Sequence, residues 1–199
     1  MAIKAIIFDI DGVLADSRAA VVHNTKQVLN EYGFVVKDGE VENMSSAHSA
    51  QSVFVGLVPK LGMDARLMEK ILKRLSELTA ENIDMVKPTP IAQKIPELSA
   101  KYKLAVASNR KASVIMVLEK FKVTGHFETV MSSRDAPPKP SPKMLNLALG
   151  KMGILPSEAV FVGDNEEDRQ AARAANVRFF LAKGTDATSC ERFFQEFLY

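Results

Sequence analysis

The candidate catalytic residues of this sequence are acidic and basic side chains at the ends of short apolar runs. The run from Ile3 to Phe8 ends in Asp9-Ile10-Asp11-Gly12. Later segments contribute Ser108-Asn109-Arg110, Lys139 between two prolines, and the acidic stretch Gly163–Asp168. Phosphoryl transfer needs a nucleophile, an acid for the leaving group and positive charge to offset the phosphate oxygens. These segments supply all three kinds of group.

The first segment places two carboxylates beside a glycine. Along an extended strand, Asp9 and Asp11 would share a face because they are two residues apart. Gly12 indicates that the chain turns there, which would free Asp11 to reach a leaving oxygen and let backbone N–H groups approach a phosphate. Asp9 and Asp164 together would form a hard, oxygen-rich site that suits Mg²⁺. The metal would also reduce the repulsion between the phosphate and the carboxylate that attacks it.

The other polar residues are candidates for binding the phosphate oxygens. Lys139 would contribute positive charge, while Ser108 and Asn109 would contribute a hydroxyl and an amide. Lys139 could instead be a solvated lysine, and Ser108 a buried hydroxyl that bonds its own backbone. The position of the polar trio at the end of a strand favours the phosphate role.

The pattern of apolar residues predicts the elements that must position these groups. Short apolar runs alternate with helical patterns, which is the signature of a parallel sheet with helices on both faces. In such a sheet the carboxyl ends of the strands meet at one edge, where ligands bind. The predicted strands are 3–8, 104–107, 127–131, 159–162 and 177–181, and the predicted helices are about 111–121, 141–152, 166–175 and 187–198.

Residues 16–83 interrupt this alternation. They contain no good strand, and their apolar residues recur at helical spacing in 21–32, 53–61 and 67–78. Asp64 can cap the third of these helices. We therefore predict an α/β core with a Rossmann-like parallel sheet, formed by 1–15 and 84–199, and an inserted all-helical domain over 16–83.

Composition disfavours several other classes of protein. The chain has 199 residues, is 47% hydrophobic and carries a net charge of +2 without a basic stripe, so we expect no nucleic-acid partner. Cys190 is the single cysteine and cannot form an intrachain disulfide, which favours a reducing compartment. The N-terminal apolar run is short and interrupted by Lys4, and no apolar stretch reaches membrane-spanning length. We expect a cytoplasmic protein that does not bind membranes.

The order of the motifs resembles that of the haloacid dehalogenase (HAD) superfamily of aspartate-nucleophile phosphohydrolases. The matching set is Asp9-x-Asp11-Gly12, Ser108, Lys139 and Gly163-Asp164-x-x-x-Asp168, and the resemblance covers nearly the whole chain. The segments DIDGVLADS, KPTP, ASNR, PPKPSP and GDNEEDRQAARAAN are similar to the phosphoglycolate phosphatase-like subgroup, and the insert is similar to its helical cap. The resemblance implies a Mg²⁺-dependent phosphatase that acts on a small phosphorylated metabolite through an aspartyl-phosphate intermediate.

The resemblance also implies a role for each matching residue. Asp9 attacks phosphorus, and Asp11 protonates the leaving alcohol and then activates the hydrolytic water. Mg²⁺ is held by Asp9, by the backbone carbonyl of Asp11 and by Asp164. Asp168 orients metal-bound waters or Lys139. The phosphate is held, next to Gly12, by the residues at the family's phosphate-binding positions: Ser108, Asn109 and Lys139.

Several neighbouring residues have competing interpretations. Asn165 stands where the family usually has Ser or Asp, and it still offers an oxygen ligand. Glu167 could bind metal, although acids in the first turn of a helix are favoured by the helix dipole alone. Arg110 and Lys111 are interpreted as helix-start or surface charges. His48 lies in a polar stretch of the insert that could face the substrate.

Other functions remain open at this point. A phosphomutase or an inorganic pyrophosphatase of the same superfamily would use the same core. A response-regulator receiver domain also combines acids, a hydroxyl, a lysine and Mg²⁺, but its phosphorylated aspartate follows the third strand and it carries no helical insert. Asp135 is the only acid after the strand at 127–131 that could serve. A binding protein that holds a phosphorylated ligand without turnover is disfavoured because every catalytic position is intact. The substrate and the oligomeric state cannot be read from the sequence.

Overall fold

The computed structural model describes residues 2–37, 39–44, 50–182 and 185–197. It divides into two compact units. The core unit comprises Met1–Asp16 and Pro88–Tyr199, and the insert unit comprises Ser17–Lys87. The chain therefore leaves the core soon after its first strand and returns to it at Pro88.

The described part of the insert unit consists mainly of helices, and it has its own apolar core. Helices α1, α3 and α4 follow the predicted patterns, and α4 begins as expected with the Asp64 side chain accepting a hydrogen bond from Leu67 N at 2.8 Å. Helix α2 was not predicted, because it is a single turn with only Val41 buried. The buried cluster includes Phe54 from α3 and Ile71 from α4. The helices are α1 (Arg18–Glu31), α2 (Glu40–Met44), α3 (Ala50–Leu61) and α4 (Ala65–Glu81), followed by a 3₁₀ turn at Ile83–Met85.

The core unit is built on a five-stranded parallel sheet, as the sequence predicts. The strands of the protein are β1 (Ala5–Phe8), β2 (Ala15–Asp16), β3 (Lys87–Pro88), β4 (Lys103–Ser108), β5 (Thr129–Ser132), β6 (Ala159–Gly163) and β7 (Arg178–Leu181). The order in the large sheet is β5-β4-β1-β6-β7. Strand β1 is central, with Phe8 opposite Val106 on β4 and Val162 on β6. The ends of these three strands therefore meet at one edge.

Helices cover both faces of this sheet because successive side chains of a strand point to opposite sides. Ile7 belongs to the buried cluster that includes Leu145 and Ala172, whereas the Phe8 ring lies 6.4 Å from the ring of Phe193. Phe193 is fully buried, so this C-terminal aromatic residue packs against the sheet. The helices are α5 (Pro90–Gln93), α6 (Ile95–Ser99), α7 (Ser113–Lys120), α8 (Lys143–Met152), α9 (Glu166–Ala174) and α10 (Ala187–Phe197), with 3₁₀ turns at Thr124–His126 and Pro156–Glu158.

None of the helices in the described residues combines the length and the apolar composition that a membrane span needs.

Candidate active site

Three carboxylates converge where the central strands end. Asp9 follows β1 directly, and its backbone N–H donates to Val162 O at 2.9 Å, which extends the strand pairing by one residue. Asp164 follows β6, and Asp168 lies in the first turn of α9. One carboxylate oxygen from each of these residues lies within 4.8 Å of the others. The structure thus brings together three of the four predicted metal-site residues through their carboxylates.

Lys139 pairs with two of these carboxylates. Its Nζ lies 2.9 Å from Asp9 Oδ1 and 2.6 Å from Asp168 Oδ1, and its side chain is 2% exposed. The loop that carries it has a cis peptide bond between Lys139 and Pro140. Burial alone would lower the pKa of Lys139, but the two carboxylates outweigh burial and raise it. The lysine therefore stays charged inside the cluster.

The electrostatics of the cluster suit a divalent cation. Burial raises the pKa of Asp9 to about 7, against the opposing effect of Lys139, and the neighbouring acids add to the rise. Burial also raises the pKa of Asp164 to about 8, again with contributions from nearby carboxylates. One lysine offsets one of three carboxylates, so an excess of negative charge remains when all are ionised. Hard oxygen ligands with uncompensated negative charge fit Mg²⁺.

The start of α9 fixes the two acids that it carries. Asn165 caps the helix, because its Oδ1 accepts from Asp168 N at 3.0 Å, while its Nδ2 donates to Asp164 Oδ1 at 2.9 Å. Asp168 Oδ2 accepts from Asp164 N at 3.1 Å. A side chain at Gly163 would collide with Asp168, so the glycine permits this close packing. Asn165 is therefore a helix cap that also orients Asp164, a role that an asparagine before three acids could have indicated.

The phosphate-binding candidates on β4 serve the neighbouring backbone in this structure. Asn109 Oδ1 accepts from Lys139 N at 2.7 Å, and its Nδ2 lies 3.2 Å from Lys139 O and 3.3 Å from Glu167 Oε2. Asn109 thus holds the peptide of Lys139, and a direct contact with phosphate stays a prediction. Ser108 is buried at the end of β4, where its Oγ accepts from Arg110 N at 3.3 Å. Glu167 is an exposed acid of the first helical turn that contacts Asn109.

The interpretation of Arg110 as a surface or helix-start charge was wrong. Its guanidinium is buried and donates to both carboxylate oxygens of Asp11, from Nε at 2.8 Å and from Nη2 at 2.7 Å. Burial alone would lower the pKa of Arg110. The negative charge and the hydrogen bonds of Asp11 outweigh burial, so the pKa of Arg110 is raised. The adjacent Lys111 is exposed, as predicted. The two partners are 99 residues apart, so only the fold reveals the pair.

The turn after Asp11 lies directly against the metal-site candidates. Gly12 has φ +73°, and its N–H donates to Ala15 O at 2.9 Å. A Cβ at Gly12 would overlap the carboxylate of Asp164. Glycine is required here both for the backbone conformation and for the close approach of the two strand ends. His48, the candidate from the insert, lies outside the described residues.

This sheet, with its strand-end acids and buried lysine, is the architecture that the motif order implied. Residues 6–182 match the family model of haloacid dehalogenase-like hydrolases, a span that contains every candidate site residue named above for the core. The chain therefore belongs to the haloacid dehalogenase-like hydrolase family.

Individual relatives are similar along most of their lengths. Pyrophosphatase PpaX from Bacillus velezensis is 26% identical over 186 residues, which cover 88% of this chain and 81% of that protein. Phosphoglycolate phosphatase from Vibrio vulnificus is 27% identical over 190 residues, covering 89% and 82%. The structure of a HAD-superfamily hydrolase of subfamily IA from Geobacter sulfurreducens superposes with a TM-score of 0.70 at 30% identity, covering 90% of this chain and 89% of that one. The first two relatives are named for different phosphate compounds, pyrophosphate and phosphoglycolate.

Proposed function

We propose that this protein is a Mg²⁺-dependent phosphatase that hydrolyses a small phosphomonoester through an aspartyl phosphate on Asp9. The observation that carries the proposal is the position of Asp9: a buried carboxylate at the end of the central strand, 2.9 Å from a buried lysine and clustered with two further acids. Membership of a hydrolase family with phosphatase relatives supports the same chemistry.

Asp9 is the proposed nucleophile. A carboxylate oxygen of Asp9 attacks phosphorus, the bond from phosphorus to the ester oxygen breaks, and its electron pair goes to the leaving oxygen. Lys139, fixed by Asp9 and Asp168, places a positive charge where the phosphate oxygens gather negative charge.

Asp11 is the proposed acid and base. In its protonated form, after it has left Arg110 and taken a proton from solvent, it gives that proton to the leaving oxygen in the first step. In the second step it takes a proton from water, whose oxygen attacks phosphorus and breaks the bond to Asp9. Inorganic phosphate leaves, and both carboxylates return to their starting states. Asp11 stands two residues beyond the nucleophile, directly before the turn at Gly12, and this position supports its assignment.

Mg²⁺ would be held by Asp9, Asp164 and the backbone carbonyl of Asp11. When bound, it offsets the charge of the phosphate oxygens and of the attacking carboxylate. Asp168 serves through Lys139 and the backbone of Asp164, with which it makes close contacts.

The substrate class is a small phosphorylated compound. The names of the relatives suggest two candidates, phosphoglycolate and pyrophosphate. The receiver-domain alternative would need phosphorylation of Asp135, an exposed residue whose carboxylate instead accepts from Ser132 N at 2.8 Å and Ser132 Oγ at 2.7 Å. A mutase would use the same core but would return no free phosphate.

The proposal is tested by measuring phosphate released from a panel of small phosphomonoesters and pyrophosphate, with Mg²⁺ and with EDTA. Release from one or a few compounds that stops in EDTA supports the phosphatase. Transfer without release would favour a mutase, and failure of every compound with folded, Mg²⁺-binding protein would reject hydrolysis.

Binding of Mg²⁺ should stabilise the folded protein, independently of activity. We expect the melting temperature to rise by about 5–10 °C when Mg²⁺ is present at about 100 times its Kd. Asp164→Asn should abolish this rise, whereas Glu166→Gln, which changes an exposed acid of the same helical region, should keep it. The rise in melting temperature is measured by calorimetry at constant ionic strength. An equal rise in both variants would show that Asp164 does not bind the metal.

Substitution of Gly12 should disable the site more than it destabilises the fold. In Gly12→Ala the new Cβ meets the carboxylate of Asp164, so we expect at least a ~100-fold fall in phosphate release and loss of the Mg²⁺ response. Gly153→Ala is the matched control, because Gly153 also has a positive φ, +65°, but has no atom within 4 Å of the added Cβ. Both variants carry backbone strain of about 1 kcal/mol, so similar activities in the two would contradict the steric argument.

A further inference from the structure

Asp11, the proposed acid and base of the reaction, forms a buried ion pair with Arg110. Both carboxylate oxygens of Asp11 accept from the guanidinium, at 2.8 Å from Nε and 2.7 Å from Nη2. The side chains are 7% exposed for Arg110 and 19% for Asp11. Two parallel hydrogen bonds fix the plane of a carboxylate as well as its position. In this conformation Asp11 is directed toward Arg110.

The backbone of Arg110 is anchored on both sides. Its N–H donates to Ser108 Oγ at 3.3 Å, and its carbonyl accepts from Ser133 N at 3.1 Å and from Ser133 Oγ at 3.2 Å. These contacts attach Arg110 to the ends of β4 and β5, two strands of the sheet that also carries Asp9. The guanidinium also lies 3.4 Å from the hydroxyl of Ser113, which is a neutral partner. The backbone of Arg110 is therefore held in place relative to the sheet, and Ser113 is the second partner of its guanidinium.

The proposed reaction requires Asp11 to contact the leaving oxygen. A carboxylate with both oxygens on one guanidinium must give up at least one of these bonds to do so. A buried cation that loses its anion is strongly unfavourable. The change becomes much less costly if the substrate itself brings an anionic group to the guanidinium.

We propose that Arg110 is a specificity-determining residue that exchanges Asp11 for a second anionic group on the substrate. The enzyme then prefers phosphomonoesters that carry a carboxylate or another phosphate close to the ester oxygen. With a substrate that has no anionic group besides the phosphate that is cleaved, Arg110 keeps Asp11 and phosphoryl transfer is slow. This inference rests on the proposed phosphatase function and names the substrate class of the same site.

The test compares two pairs of substrates whose members differ in one anionic group. One pair is phosphoglycolate and its neutral amide, and the other is ethylene glycol bisphosphate and ethylene glycol monophosphate. We expect kcat/KM of the unchanged protein to favour the anionic member of at least one pair by on the order of 100-fold. The pair that shows the preference identifies the second group as a carboxylate or a phosphate.

Variants assign the preference to Arg110. In Arg110→Met the ratio within the preferred pair should fall to a few-fold, mainly because the anionic member loses rate, and Arg110→Lys should give an intermediate ratio. Lys111→Met, which removes the exposed neighbouring charge, should keep the full ratio. If Arg110→Met does not fold, the Lys variant and the ratios of the unchanged protein still decide the question.

Four results would overturn the inference. Release of phosphate without preference in either pair would contradict Arg110 as a selector while leaving the phosphatase proposal intact. Equal losses for both members of a pair in Arg110→Met would indicate a merely structural role. If Lys111→Met lowered the kcat/KM ratio as much as Arg110→Met, the preference would come from positive charge in this region in general and not from Arg110. No release from any compound by the unchanged protein would reject the phosphatase proposal, and this inference with it.

Discussion

Replacing Asp9 with asparagine should lower phosphate release by at least ~10⁴-fold, because the amide cannot form the proposed covalent intermediate. The folded protein should not lose stability in EDTA. Asp9 is buried among other carboxylates, and its raised pKa of about 7 shows that the ionised form is disfavoured there. An acid whose pKa is raised by folding costs stability as the pH rises above its ordinary range. Asp9→Asn removes that cost and leaves the ion pair of Lys139 with Asp168 in place.

Kinetics of phosphate release and thermal unfolding at pH 8 check this expectation together. Asp135→Asn is the matched control, since Asp135 also follows a strand of the sheet but is exposed, and its carboxylate accepts hydrogen bonds from Ser132. The control should retain activity. If Asp9→Asn still released phosphate, Asp9 would not be the nucleophile. If Asp135→Asn lost activity, the result would favour the receiver-domain alternative.

Replacing Lys139 with methionine should reduce phosphate release by about 10³-fold, because the charge that offsets the phosphate oxygens is lost. The effect on stability is opposite to that of Asp9→Asn. Breaking a buried ion pair by removing one partner costs about 3–5 kcal/mol, and here three carboxylates would remain without their lysine. Methionine keeps a side chain of similar length, so the loss of packing against Phe161 should be small.

Chemical denaturation without metal measures this loss of stability. Lys143→Met provides the control, because Lys143 is an exposed lysine four residues further along the chain. Its substitution should change neither activity nor the free energy of unfolding. A Lys139→Met protein as active as the unchanged one would show that the lysine is not part of the catalytic machinery.

The parallel sheet and the site acids could be predicted from the sequence because both depend on local patterns. A buried strand reads as a short apolar run, and a residue that follows such a run must lie at the carboxyl edge. The positions of Asp9 and Asp164 at this edge could be predicted in this way. The single-turn helices α5 and α6 were missed because four or five residues show no helical period. The sequence does hold a signal for α5, since Thr89 caps this helix and Pro90 begins it.

Side-chain partners across the fold could not be predicted in the same way. The type of a residue shows what it can bond, but not which of several groups lies within reach. In the sequence, nothing distinguishes the basic residue Arg110 from the adjacent Lys111, which is exposed. Only the fold brings the guanidinium of Arg110 to the carboxylate of Asp11. Asn109 was assigned to the phosphate from its chemistry, whereas the structure places its amide on the peptide of Lys139. Both differences concern how the catalytic groups are held.

The central claim is that Asp9 becomes phosphorylated, and trapping the phosphoryl group tests it most directly. Asp11→Asn should slow hydrolysis of the intermediate, and an aryl phosphate supplies a leaving group that needs no protonation. The variant is mixed with the aryl phosphate and Mg²⁺, quenched in acid and analysed by peptide mass spectrometry. We predict a burst of aryl alcohol and one phosphoryl group per chain, located on Asp9 and absent when Asp9 is also changed to asparagine. A burst with an unmodified chain, or a phosphoryl group on Asp135 or any other residue, would contradict the account.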